Sequence, residues 1–204
     1  MPISAIRSLV TGRAKEREIQ TLLKNNLDLI GRSVAFAPIK DEYIAFSEFP
    51  VGNGSVDFVV FTDRSRMDVV LIEIKGADFS FINADGRVHA DVNEAAQQIR
   101  ERYAYIRSNY EYFRREVHSI RKEVEAGKQR YNSLLGPNGY LHVDPEKDID
   151  IKGIVIGGTT RDDLEESRIR HQLEIDSPRI KFESWDSWLG KNGDIGGQLR
   201  NAHT

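Results

Sequence analysis

The chain has 204 residues, 39% of them apolar and 30% charged, with a net charge of −3. That composition fits a globular α/β domain and argues against a disordered chain or a protein that coats nucleic acid nonspecifically. No apolar run approaches the roughly 18 residues of a membrane span, the N-terminus lacks the apolar core of a secretory signal, and cysteine is absent, which removes disulfides, thiolate nucleophiles and Cys-based zinc sites.

These features point to a cytoplasmic protein that does not engage a membrane. Its histidines (His89, His118, His142, His171 and His203) are scattered without metal-ligand spacing. Any bound metal is therefore expected to take oxygen ligands, which favours Mg2+ or Mn2+. Charge is unevenly spread: residues 100–131 carry nine Lys/Arg against five Asp/Glu, and residues 144–176 carry five against ten. Two solvated faces account for this, although a basic strip could also hold a phosphate backbone.

In chain order, the first expected element is a helix over about residues 13–30, with Ile19, Leu22, Leu23, Leu27 and Ile30 at helical spacing. At about 100° per residue, Glu16 falls within that apolar stripe and Glu18 outside it. An inward acid needs a partner or a metal; the plainer alternative is a wet first-turn carboxylate favoured by the helix dipole. Residues 43–50 read as a strand and 52–54 (GNG) as a turn. SVDFVVFT (55–62) and DVVLIEIK (68–75) read as the two strands of a buried hairpin.

From Val92 an alternating four-three spacing runs through Ala96, Ile99, Tyr103, Ile106, Tyr110, Phe113, Val117, Ile120 and Val124. That is a heptad seam, and it predicts one long helix, a helical extension at about 104–148 and a homo-oligomer (dimer or tetramer) formed through residues 92–135. A strand at 149–156, a GG turn at 157–158, a helix begun by Thr160 and Asp163 in capping-box spacing, a strand at 180–185 and a short closing helix complete a single domain over 1–204. Gly157-Gly158 lacks the companions of a phosphate loop and reads as a tight turn. Trp185, Trp188 and the tyrosines at 103, 105, 110 and 112 are better placed to fill cores and seams than to stack on bases.

The hairpin carries the chemistry. Its loop centres on Ser65, and Asp57 and Glu73 lie eight residues to either side. That symmetry makes them cross-strand neighbours with Cβ atoms roughly 5 Å apart, and Lys75 shares the face of Glu73. Two carboxylates so close repel each other, and a divalent cation bound by both relieves the repulsion. A lysine beside the metal completes a set suited to phosphodiester hydrolysis. Glu-x-Lys alone is common and suits an exposed pair, but here it is embedded in the apolar run VVLIEIKG.

The ordered segments EREIQTLLKNNLDLI (16–30), SEFPVGNGSVDFVVF (47–61), VVLIEIKGAD (69–78), AAQQIRERY (95–103), IVIGGTTR (154–161) and IKFESWDSWL (180–189) resemble the nuclease domain of the Shedu antiphage defence proteins, within the PD-(D/E)xK superfamily. The resemblance implies a restriction-endonuclease-like mixed central sheet flanked by helices and a Mg2+-dependent DNA endonuclease working within an oligomer. It assigns Asp57 and Glu73 to the metal, Lys75 and Glu16 to catalysis, Gln98 (or its neighbour Gln97) to the helix glutamine, and Arg161 to a phosphate contact. As the first residues of a helix, the segment around Arg161 needs no such role. Val56 stands where the superfamily's name has proline, and no separate sensing domain is expected beside the nuclease segments. A noncatalytic nucleic-acid-binding or assembly module on this fold, and a DNA-repair or mobile-element nuclease, are the competing readings.

Overall fold

A computed structural model describes residues 2–35 and 37–193; His203 lies outside them. Six strands form a mixed sheet in the order β4-β1-β2-β3-β5-β6. Strands β1 (Tyr43–Val51), β2 (Gly54–Thr62), β3 (Asp68–Ile74) and β4 (Asn132–Leu135) pair antiparallel. β5 (Asp150–Ile156) and β6 (Ile180–Glu183) extend the sheet from β3 in parallel. One face is covered by α1 (Pro2–Thr11), α2 (Glu16–Lys24), α3 (Leu27–Val34) and α7 (Trp185–Asn192), and the other by α4 (Ala90–Ser108), α5 (Tyr110–Glu125) and α6 (Asp163–Asp176). No described helix is long and apolar enough to cross a membrane.

Several local expectations are corrected. The helix expected over 13–30 is two helices, broken where Asn26 turns its side-chain amide onto the Leu22 carbonyl at 2.8 Å. A helix at 2–11, with Ile3, Ile6 and Val10 buried, was not anticipated. The N-cap of α6 is Asp162, which accepts the Leu164 and Glu165 N–H groups at 3.0 Å. Thr160 instead meets the Ser184 hydroxyl at 2.8 Å. Trp185 and Trp188 are core residues, as their sequence reading expected.

The heptad seam is spent inside the chain. The helix breaks at Asn109, and because the four-three spacing continues across the break, both halves keep their apolar side on the sheet. Val92, Ala96 and Ile99 pack with Val155, Ile180 and Phe182 over β5 and β6. Ile106, Phe113, Val117, Ile120 and Val124 pack with Phe46, Val59, Phe61 and Leu71 over β1 to β3. The helical segment is therefore the second layer of the domain, and its seam is not the surface left for a second copy.

One irregularity positions the site. Along β1, Phe46 and Phe49 both face α5, and along β2, Val56 and Val59 do the same. Side chains alternate along a strand, so each strand slips by one residue at Glu48 and at Asp57, which the register places opposite each other. Glu48 takes the slip with a positive φ of 54°. Beyond it the β1–β2 tip leaves β3: pairing of β2 with β3 ends at Phe58↔Ile72, so Glu73 and Ile74 at the end of β3 have no β2 ladder partner.

Because the seam forms intramolecular core, Phe113→Ala should cost about 3–5 kcal/mol in urea unfolding. A loss under about 1 kcal/mol would show that α5 is not packed on the sheet.

Candidate active site

The opened sheet end is lined from one side by α2 and from the other by α4. On α2, Glu16, Gln20 and Lys24 recur at a spacing of four and share a face. Glu18 has a different task, accepting the Lys15 N–H at 3.1 Å to start the helix. On α4 the matching stripe is Glu94, Gln98 and Arg102. Between the stripes lie Asp57, Glu73 and Lys75.

The hairpin register agrees with the symmetry of its sequence: continuing the ladder one step past Phe58↔Ile72 sets Asp57 against Glu73. Asp57 is tied down at both oxygens. Oδ1 accepts from Gln20 Nε2 at 2.6 Å, and Oδ2 accepts the Ile74 backbone N–H at 2.9 Å. Gln20 was not singled out from the sequence, although its place one turn after Glu16 was the available signal.

Lys75 is fixed through its backbone. Its N–H donates to the Ile156 carbonyl at 2.8 Å, and its carbonyl accepts the Trp185 indole N–H at 2.8 Å. The GG turn lies directly behind it: a Cβ at Gly157 would sit 2.8 Å from the Lys75 Cβ. The turn thus serves close packing, in line with its reading as a turn. The ammonium reaches Glu16 at 3.5 Å and Glu94 at 4.0 Å. Glu94 is a further member that the sequence gave no reason to select.

Four carboxylates (Glu16, Asp57, Glu73, Glu94) thus share this space with two cations, Lys75 and Arg102. The excess acid shows in Glu73. Burial, then the Asp57 charge and a hydrogen bond with Asp57, push its carboxyl up to about 9, against smaller opposing effects of Lys75 and Arg102. Burial also raises Glu16, with Lys75 opposing and Asp57 adding to the rise. Two carboxylates that cannot both ionise are a donor set that fits a divalent cation. No group of three His, Asp or Glu side chains is placed to hold a metal among the described residues. The fit is therefore a two-carboxylate one with the remaining positions left to water, as Mg2+ accepts.

Of the two glutamines, Gln97 is exposed and bonded to Glu101 at 3.3 Å, whereas Gln98 is half-buried on the Glu94–Arg102 stripe with its amide oxygen buried and unpartnered. Arg161 is exposed beyond the GG turn and makes no contact with the cluster.

A protein-family model described as Shedu protein SduA, C-terminal, matches residues 13–189. The chain belongs to the Shedu family. No curated protein matches it. The matched span runs from just before α2 into α7 and so includes every residue of the cluster. Shedu membership implies a role in antiphage defence.

The protonated state of Glu73 has a measurable consequence. A carboxyl whose folded value lies above its ordinary 4.5 costs nothing below that pH and progressively more as pH rises toward about 9. In chelator, Glu73→Gln should therefore be more stable than the parent, by a margin that widens between pH 5 and 9 in thermal unfolding. Mg2+ should raise the melting temperature of the parent more than that of the variant. A margin that is flat with pH would contradict the raised value of the Glu73 carboxyl.

Proposed function

We propose that this Shedu-family chain is a metal-dependent DNA endonuclease acting in antiphage defence, with the mixed sheet as a restriction-endonuclease-like core. The observation that carries the reading is the Asp57–Glu73 carboxylate pair, short of positive charge, directly beside Lys75.

Asp57 and Glu73 would hold Mg2+ or Mn2+; when bound, the cation supplies charge to the phosphate oxygens and lowers the pKa of a water. Gln20 holds Asp57 in the orientation this needs. Lys75, steadied between Glu16 and Glu94, donates to a non-bridging oxygen as negative charge builds on phosphorus. Glu16 faces the same space and is the carboxylate placed to take the proton of the attacking water. As water adds to phosphorus, the bond to the leaving sugar oxygen breaks and that oxygen takes a proton from a solvent water. Gln98, on the opposite wall, orients water or substrate through its unpartnered amide. Arg161 is left as an outlying phosphate contact, too remote for the chemistry.

The reading is tested with supercoiled plasmid and linear duplex DNA in Mg2+, in Mn2+ and in chelator. Cleavage should require metal, and Lys75→Ala and Asp57→Asn should each lower its rate by about 10²–10⁴-fold. Cleavage that persists in chelator or in Lys75→Ala would refute the mechanism. A folded chain that binds DNA without cutting it would be a noncatalytic nucleic-acid-binding module.

A further inference from the structure

One cation at the site has no ion-pair partner among the described residues. Arg102 is half-buried on α4, two turns after Glu94 and one after Gln98, so all three share a face. Its guanidinium lies flat against the backbone of the β1–β2 tip: a Cβ at Gly54 would overlap it. The ring of Tyr105, three residues on, covers Gly52 in the same way. The tip that leaves β3 is thus clasped by α4 at two positions where only glycine leaves room.

This contact does not satisfy the guanidinium. Arg102 Nε is buried without an acceptor, and among the described residues no carboxylate lies within ion-pair distance of it. Every other charged group named in the cleft has an ion pair or a hydrogen bond. Burying the Nε–H of a charged group without an acceptor is costly. The planar fork is suited to one occupant class above others, a phosphate, which it grips with two parallel N–H donors. Gln98, one turn earlier, also presents a buried amide oxygen without a partner, so the stripe faces the cleft with two unsatisfied polar groups.

We propose that Arg102 is the backbone-gripping residue of this site, taking a second phosphate of the nucleic-acid strand whose scissile phosphate is held by the Asp57–Glu73–Lys75 group. The proposal rests on the endonuclease reading and adds the residue that sets strand position. Glu94 to Arg102 spans two helical turns, about 12 Å along α4. One strand lying along the stripe would therefore meet Lys75 and Arg102 through different phosphates. Arg102 touches no reacting atom in this arrangement. It acts on affinity and register, and the catalytic groups do the chemistry.

The test is fluorescence anisotropy of a labelled DNA duplex on the full chain with Ca2+, over a series of salt concentrations, for the parent, Arg102→Gln and Arg102→Lys. Arg102→Gln should weaken binding about tenfold and reduce the slope of log affinity against log salt by about 0.9, the loss of one phosphate contact. Arg102→Lys should restore the slope and only part of the affinity, because a point charge replaces the fork. Mn2+ binding in the absence of DNA, measured by calorimetry, should be unchanged in Arg102→Lys, which keeps the charge. If Arg102 serves only to clasp the tip, both variants lower the melting temperature and leave the slope unaltered, and that result overturns the proposal. Should Arg102→Gln fail to fold, Arg102→Lys decides alone: full parental affinity would overturn the proposal, and retained slope with reduced affinity would support it. A parent that binds no duplex DNA would overturn the endonuclease reading and this one with it, whereas parental binding with an unaltered slope in folded variants overturns this one only.

Discussion

Two carboxylates facing each other in a half-dry cleft cannot both carry charge, and the arrangement around Asp57 and Glu73 follows from that constraint. A proton resolves the conflict here at the expense of a carboxyl far from its ordinary value. A divalent cation would resolve it while also drawing a phosphate into the site. Gln20, Glu16, Lys75 and Glu94 are arranged around this conflict and do not cancel it: the one lysine is shared between two further acids. A site meant only for stability would be expected to neutralise itself, since buried unpaired acid weakens a fold.

The fold supports the cleft by holding it open. A regular sheet would continue the β2–β3 ladder past Asp57 and close the space. The slip at Glu48 and Asp57 instead peels the β1–β2 tip away, and the Ile74 N–H freed by the missing ladder is taken up by the Asp57 carboxylate. The positive φ of Glu48 is a local cost borne next to a site, the usual place for such strain. Behind Lys75, the Gly157-Gly158 turn and the Trp185 indole hold the backbone from which the ammonium projects.

The helices on the far face show how a correct pattern led to an incomplete inference. The heptad spacing from Val92 to Val124 does mark one continuous apolar stripe, and every aliphatic member of it is buried. Periodicity tells which side of a helix is covered, and not what covers it. The stripe here lies on the protein's own sheet, because a break at Asn109 bends the helix and lets both halves follow that surface.

Local chemistry was legible in the sequence wherever it depended on periods and symmetry. The hairpin register followed from equal spacing about Ser65, the inward direction of Glu16 from the helical period, and the buried strands from their β-branched and aromatic runs. Those features depend on neighbours a few residues apart, so the sequence by itself determined them. The tertiary structure decided what depends on distant segments: Gln20 on Asp57, Glu94 beside Lys75, Arg102 against Gly54, Gln98 rather than Gln97 turned inward, and the seam laid on the sheet. Each of these joins residues that only packing brings together, and the slip that opens the cleft is a backbone event that no side-chain pattern records.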